Sequence, residues 1–389
     1  MTSPEKKIVR TSFGLKGIVQ HQLDQSYHSH LIEKIRAEGF FMKSGRLEIH
    51  LAKEFGFCYG VERAVQYAYE TRARFPDRRI FLTNEIIHNP RVNAELQGMG
   101  VKILTSDASR PEIMEKDVVI MPAFGVTVEA LREFQEKNCV IVDTTCGSVM
   151  SVWRRVEAYS GDGFTSVIHG KYDHEETRAT CSRAAKYLVV KDKTQAARVC
   201  EHISGTGTRD SFLTMFKDAC SAGFDPDTDL GKIGFANQTT MLSRESTEIS
   251  DLLRAALRGR YGETELQNRF RHFDTICSAT QDRQDAIREL GEIHMDVILV
   301  IGGYRSSNTG HLVELASEFC PAFHVEDASS LISSAKIRHK KNGVQEILET
   351  ADWLWKSGAE PIRVGVTAGA STPNRLVEEV IQRLIDLAA

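Results

Sequence analysis

The chain has 389 residues, of which 41% are hydrophobic and 26% charged, with eight cysteines and a formal net charge of −4. That composition excludes a disordered chain and a disulfide-stapled miniature, and leaves room for two or three domains. The slightly negative balance argues against a nucleic-acid surface, no apolar run nears the roughly 18 residues that span a bilayer, and residues 1–7 lack the apolar core of a secretion signal. We therefore expect no nucleic-acid partner, no membrane partner, thiols that are free or metal-bound, and a cytoplasmic location (the plastid stroma in a photosynthetic eukaryote).

Residues 1 to about 45 form a polar N-terminal extension, with residues 27–38 reading as helix. From residue 46 strands and helices alternate. Residues 46–52 alternate apolar and polar side chains as a strand does, and 61–69 carry the i, i+3, i+4, i+7 stripe of a helix. Strands follow at 80–82, 118–121 and 140–142, with a helix at 128–136. Beyond Cys146 a helix runs through 153–159, then strands at 164–168 and 187–190. Residues 201–228, rich in Gly, Ser and Asp, read as an insertion with a helical piece near 212–219. After Cys277 come a helix, the strand 297–301, a helix at 347–356, the strand 362–366 and a closing helix to 387. Such alternation predicts an α/β fold with mainly parallel sheets. We divide it into modules 46–145, 146–272 and 273–389, each with one cysteine at a turn.

Those turns are alike. Gly56-Phe57-Cys58-Tyr59-Gly60 joins a strand to a helix, and its glycines permit a sharp turn and close backbone approach. Cys146 follows Asp143-Thr144-Thr145, and Cys277 follows Asp274-Thr275-Ile276 and precedes another helix. Helix N-termini favour the thiolate, the form that binds metals. Three thiolates from three modules suit an iron–sulfur cluster with one iron left without a protein thiolate. The alternative is three small buried cysteines in tight turns; a zinc site fits less well, because the paired CxxC spacing is absent.

Polar clusters stand where ligands bind in α/β sheets, beyond the carboxyl ends of strands. They are residues 84–90, with His88; 169–177, with His174 and Glu176; 237–240, with Thr239; 302–309, with Ser306, Ser307 and Asn308; and 369–371, ending at Ser371. Hydroxyls, amides and N–H groups at helix N-termini suit a phosphate or diphosphate. Ordinary helix capping explains any one cluster alone. Glu176 reads either as a proton donor beside such a ligand or as a solvated carboxylate.

Taken together these stretches resemble the IspH/LytB family, the 4-hydroxy-3-methylbut-2-enyl diphosphate reductases. The matching residues are 56–64, 87–89, 143–146, 174–177, 238–240, 276–277, 306–308 and 366–371, in order along the chain. The likeness is greatest to the longer plant and cyanobacterial branch. It implies three α/β modules in pseudo-three-fold arrangement around a central [4Fe–4S] cluster held by Cys58, Cys146 and Cys277. It implies an allylic diphosphate substrate bound by His88, His174, Thr239, Ser306, Ser307, Asn308 and Ser371, and proton transfer through Glu176 and Thr239. The activity implied is two-electron reductive dehydroxylation to isopentenyl and dimethylallyl diphosphates, with electrons from a ferredoxin- or flavodoxin-type donor. Two positions depart from the pattern: Phe124 stands where many bacterial members carry a histidine, and Gly147 follows Cys146 where proline is usual. Cys139, Cys181, Cys200, Cys220 and Cys320 match no ligand and read as structural thiols. An iron–sulfur dehydratase and a redox sensor are the competing readings.

Overall fold

The computed structural model describes residues 8–104, 112–341, 344, 346–354 and 361–388. They form an α/β protein with three parallel-rich sheets. The chain separates into two compact units. One is built on Met121–Cys277; the other takes Lys116–Ile120, the described residues from Val9 to 104, and those after Cys277.

In the second of these units, Ile80–Leu82 pairs in parallel with Val101–Ile103 on one side and Val118–Met121 on the other. A larger sheet runs in the order Leu331–Ser333, Lys336–Lys340, Ala322–Val325, Val297–Ile301, Ile362–Ala368, Leu47–Leu51, Phe41–Ser44. Its centre is parallel, with Leu299 opposite Val366 and Val364 opposite Ile49. Val297–Ile301 is buried along its whole length, which is why it reads as an unbroken apolar run rather than an alternating one. Leu47–Leu51 is fully buried only at alternate positions, and a register slip of one residue would turn Leu47, Ile49 and Leu51 out of the core. The closing helix, Asn374–Ala388, lays Leu376, Val377, Val380, Ile381 and Leu384 onto that core.

The N-terminal extension holds two helices, Lys16–Tyr27 and His30–Ala37, where one was expected over 27–38. Ser29 makes the break: its hydroxyl accepts the Ile32 N–H at 3.0 Å, so it caps the second helix. The helix expected at 347–356 is instead a strand, Ile347–Ala351, antiparallel to Lys336–Lys340; residues 355 and 356 lie outside the described ones.

In the unit built on Met121–Cys277, Phe270–His272, Ile233–Asn237, Thr165–His169 and Tyr187–Val190 form a parallel sheet in that order. Within 201–228 the helix Arg209–Met215 contributes Phe212 to this unit's core, joined there by Phe216 and Phe224. Among the described residues, no helix is long and apolar enough to cross a membrane.

Candidate active site

Cys58 is the N-cap of the helix Tyr59–Arg74. Gly56 has φ +83°, and a Cβ there would stand 2.7 Å from Asn374 Oδ1, so only glycine makes this turn without strain. Arg283 donates to the Gly56 carbonyl at 2.6 Å, and the Cys58 N–H donates to the Ala370 carbonyl at 3.2 Å. The thiol is half-buried.

The loop 369–371 ties this turn to the other polar groups of its unit. The Ala370 N–H donates to Asn308 Oδ1 at 2.9 Å, while Asn308 Nδ2 is buried and has no hydrogen-bond partner. Ser306 caps the helix Ser307–Ala316, accepting from the Thr309 N–H at 3.3 Å and its hydroxyl at 2.9 Å. The Ser371 hydroxyl donates to the His88 carbonyl at 3.4 Å, and Asn89 Nδ2 to the Ser371 carbonyl at 3.0 Å. His88 Nδ1 lies 2.9 Å from Glu85 Oε2, and Arg305 is 3.3 Å from the other Glu85 oxygen. A Cβ on Gly303 would sit 2.4 Å from the His88 carbonyl, so this glycine is what lets the two loops close together. His88, Ser306, Ser307, Asn308 and Ser371 are all buried. One connected network therefore joins His88, Ser371, Ala370, Asn308 and the Cys58 turn.

The unit built on Met121–Cys277 holds the remaining groups. Cys146 is the N-cap of the helix Gly147–Gly161, and its N–H donates to the Ala123 carbonyl at 2.8 Å. The Cys277 N–H donates to the Thr239 carbonyl at 3.3 Å, and both thiols are half-buried. Glu176 is buried, and its two carboxylate oxygens accept the Thr239 N–H at 2.6 Å and the Thr239 hydroxyl at 3.0 Å. His174 Nδ1 accepts the Glu176 N–H at 3.1 Å, which puts the proton of a neutral ring on Nε2. Phe124 is buried and stands edge-on to His174, ring centroids 6.3 Å apart. Among the other thiols, burial pushes Cys181 up to about 12 and Cys200 up to about 11, away from the thiolate a metal needs.

Sequence reasoning passed over Glu85, Arg305 and Arg283. Glu85 had a signal, a carboxylate three residues before His88. Arg283 had none, because its acceptor is a backbone carbonyl distant in sequence.

The described residues thus make a three-sheet α/β protein with helix-start thiols and buried hydroxyl, amide and imidazole groups beyond its strand ends. The family model described as "LytB protein" matches residues 49–385. A protein of Gloeobacter violaceus named 4-hydroxy-3-methylbut-2-enyl diphosphate reductase is 48% identical over 98% of this chain and 93% of its own length. One of Nostoc sp. with the same name is 46% identical over 98% of this chain and 94% of its own length. The chain belongs to the IspH/LytB family. Its fold is similar to a solved (E)-4-hydroxy-3-methyl-but-2-enyl diphosphate reductase, described as the terminal enzyme of the non-mevalonate pathway. That match has a TM-score of 0.52 and 25% identity, covering 87% of this chain and 99% of the other. The fold is also similar to a reductase structure from Plasmodium falciparum, with a TM-score of 0.61 and 19% identity over 86% of each chain.

Proposed function

We propose that this chain is a 4-hydroxy-3-methylbut-2-enyl diphosphate reductase, the terminal enzyme of the non-mevalonate route to isoprenoids. The observation that carries the reading is near full-length identity of 48% to a relative of that name. Cys58, Cys146 and Cys277 would hold a [4Fe–4S] cluster at the centre of three modules, 46–145, 146–272 and 273–389. The donor set fits: each is a half-buried thiol outside any disulfide, at the start of a helix, with its own N–H already bonded to a carbonyl. When bound, the cluster would pass two electrons from the donor, one at a time, and would offer an iron that polarises the allylic hydroxyl.

The chain's own residues do the rest. The buried orphan Asn308 Nδ2, the hydroxyls of Ser306, Ser307 and Ser371, and the imidazoles of His88 and His174 bind the diphosphate. Binding that remote group positions the reacting end and holds water away from it. Once protonated at Oε2, Glu176 reverses its hydrogen bond with Thr239 and donates to the hydroxyl, whose own proton passes to the departing oxygen. The C–O bond breaks and the oxygen leaves as water, while the two electrons and a second proton, drawn from the medium, form the new C–H bond on the allyl fragment, so two electrons and two protons are consumed per product. A ferredoxin- or flavodoxin-type protein delivers the electrons in the cytoplasm.

The test is anaerobic incubation with the substrate, with and without a low-potential reductant. Isopentenyl and dimethylallyl diphosphates formed only with reductant support the reading. Turnover without reductant makes the protein a dehydratase instead.

A further inference from the structure

The N-terminal extension, ahead of the residues that the family model matches, carries a constellation that the reductase reading does not use. His28 and His30 flank Ser29 at the joint between the helices Lys16–Tyr27 and His30–Ala37, and Glu33 lies one turn into the second helix. His28 Nε2 is 2.6 Å from Glu33 Oε1, and His30 Nδ1 is 3.7 Å from Glu33 Oε2. One ligand atom from each residue lies within 4.8 Å of the other two. The two rings stand edge to face, centroids 4.9 Å apart.

We propose that His28, His30 and Glu33 form a binding site for a borderline divalent cation of the zinc type. Two imidazoles and a carboxylate are the donors such an ion selects, and three protein ligands leave a fourth position for water. With metal–ligand bonds of about 2.0–2.2 Å, neighbouring donors of a tetrahedron lie about 3.3 Å apart. To reach that separation the 2.6 Å contact must open by about 0.7 Å and the 3.7 Å contact close by about 0.4 Å, small rotations of side chains whose ligand atoms already lie within 4.8 Å of one another. His30 is almost fully exposed, and the His28 and Glu33 side chains are about one-third and a little over half exposed, so a hydrated ion reaches the three side chains from solvent. Magnesium and calcium, which take all-oxygen shells, do not suit the site.

The site sits where a metal would be felt at the Cys58 turn. Tyr27 precedes His28, and its ring packs against Phe57 with centroids 5.5 Å apart. Arg36, on the same helix as His30 and Glu33, stacks over Phe55 at 4.5 Å and donates to the Phe55 carbonyl at 3.4 Å. A cation bridging both sides of the joint fixes the angle at which these two helices meet residues 55–57.

The test is titration of the anaerobic, cluster-loaded protein with zinc against a competing chelator, so that the cluster cysteines are already engaged. His30 is 94% exposed, so His30→Ala leaves the packing intact; Glu33→Gln removes the second ligand type, and His294→Ala serves as control. We expect one equivalent of zinc on the parent protein and on His294→Ala, and binding weakened at least about tenfold in the other two. Hydrogen exchange should slow across residues 27–37 and 55–58 when zinc is added. No binding to the parent protein, or binding indifferent to His30→Ala and Glu33→Gln, overturns the proposal. The reductase reading stands or falls separately, on product formation in zinc-free buffer.

Discussion

Glu176 grips Thr239 at both ends: one carboxylate oxygen takes its backbone N–H at 2.6 Å and the other its hydroxyl at 3.0 Å. The carbonyl of the same threonine accepts the Cys277 N–H, so the carboxylate, the hydroxyl and one of the three helix-start thiols share a single residue. A two-point grip leaves the hydroxyl little rotational freedom, which is what a proton relay requires. Glu176→Gln keeps the size and loses the proton. Its kcat should fall by about 10²–10⁴-fold with KM nearly unchanged. Steady-state kinetics under anaerobic conditions check this; an equal rise in KM would point to a binding role instead.

Asn308 predicts a different signature. Its Oδ1 holds the Ala370 N–H, and the Ala370 carbonyl holds the Cys58 N–H. Asn308→Asp keeps that acceptor but puts an unpaired buried negative charge where the Nδ2 donor was, so inorganic pyrophosphate should bind at least about tenfold more weakly, with some stability lost to the buried charge. Asn308→Ala strands the Ala370 N–H as well, and should cost about 1–3 kcal/mol in urea unfolding. Titration calorimetry and denaturation together separate the two.

Gly147 is the first residue of its helix, and nothing lies within 4 Å of where its Cβ would be. Proline suits that position, because the N–H it removes has no acceptor within the helix. Gly147→Pro should stabilise by about 0.4–1 kcal/mol through the unfolded chain. Gly125→Ala should do the reverse. Gly125 has φ +80°, and a Cβ there would lie 2.3 Å from the Trp153 ring, so about 2–4 kcal/mol should be lost. Thermal melts of the two variants should move in opposite directions.

Acid should weaken the second unit through His324. Its ring is buried, with Nε2 3.0 Å from the Gly302 carbonyl, and burial pulls it down to about 4. An unfolded chain takes up this proton near pH 6.5, while the folded one refuses it until about pH 4. Stability is therefore full above about 6.5, falls as pH drops through that window, and loses up to about 3 kcal/mol on this account. Urea unfolding at pH 7.5 and pH 5 should show the decline, and His324→Gln should flatten it.

Much of this architecture was legible because local pattern and tertiary role agreed. Val297–Ile301 is an unbroken apolar run because both its faces are covered, and the helix Val128–Glu136 begins at a threonine whose hydroxyl caps it. The misreading at 347–356 had a physical source. Ile347, Leu348, Ala351 and Leu354 are spaced as on a helix, yet Ile347–Ala351 is a half-exposed edge strand whose pairing with Lys336–Lys340 overrides that spacing. The single helix expected over 27–38 failed at Ser29, where a cap was read as helix interior. Cys58, Asn308 and Ser371 could be picked out from their places at strand ends. The Ala370 amide that links Cys58 to Asn308 could not, since backbone groups leave no mark in a sequence.

The most direct test of the central claim combines two readings on one anaerobic sample. Iron and acid-labile sulfide are counted, and products are identified after turnover of 4-hydroxy-3-methylbut-2-enyl diphosphate with a low-potential reductant. The account predicts four irons and four sulfides per chain and both isoprenoid diphosphates, with cluster and products lost together in Cys58→Ser, Cys146→Ser and Cys277→Ser. A full cluster with no product would contradict the reductase, and a full cluster retained in any of the three variants would contradict the ligand set.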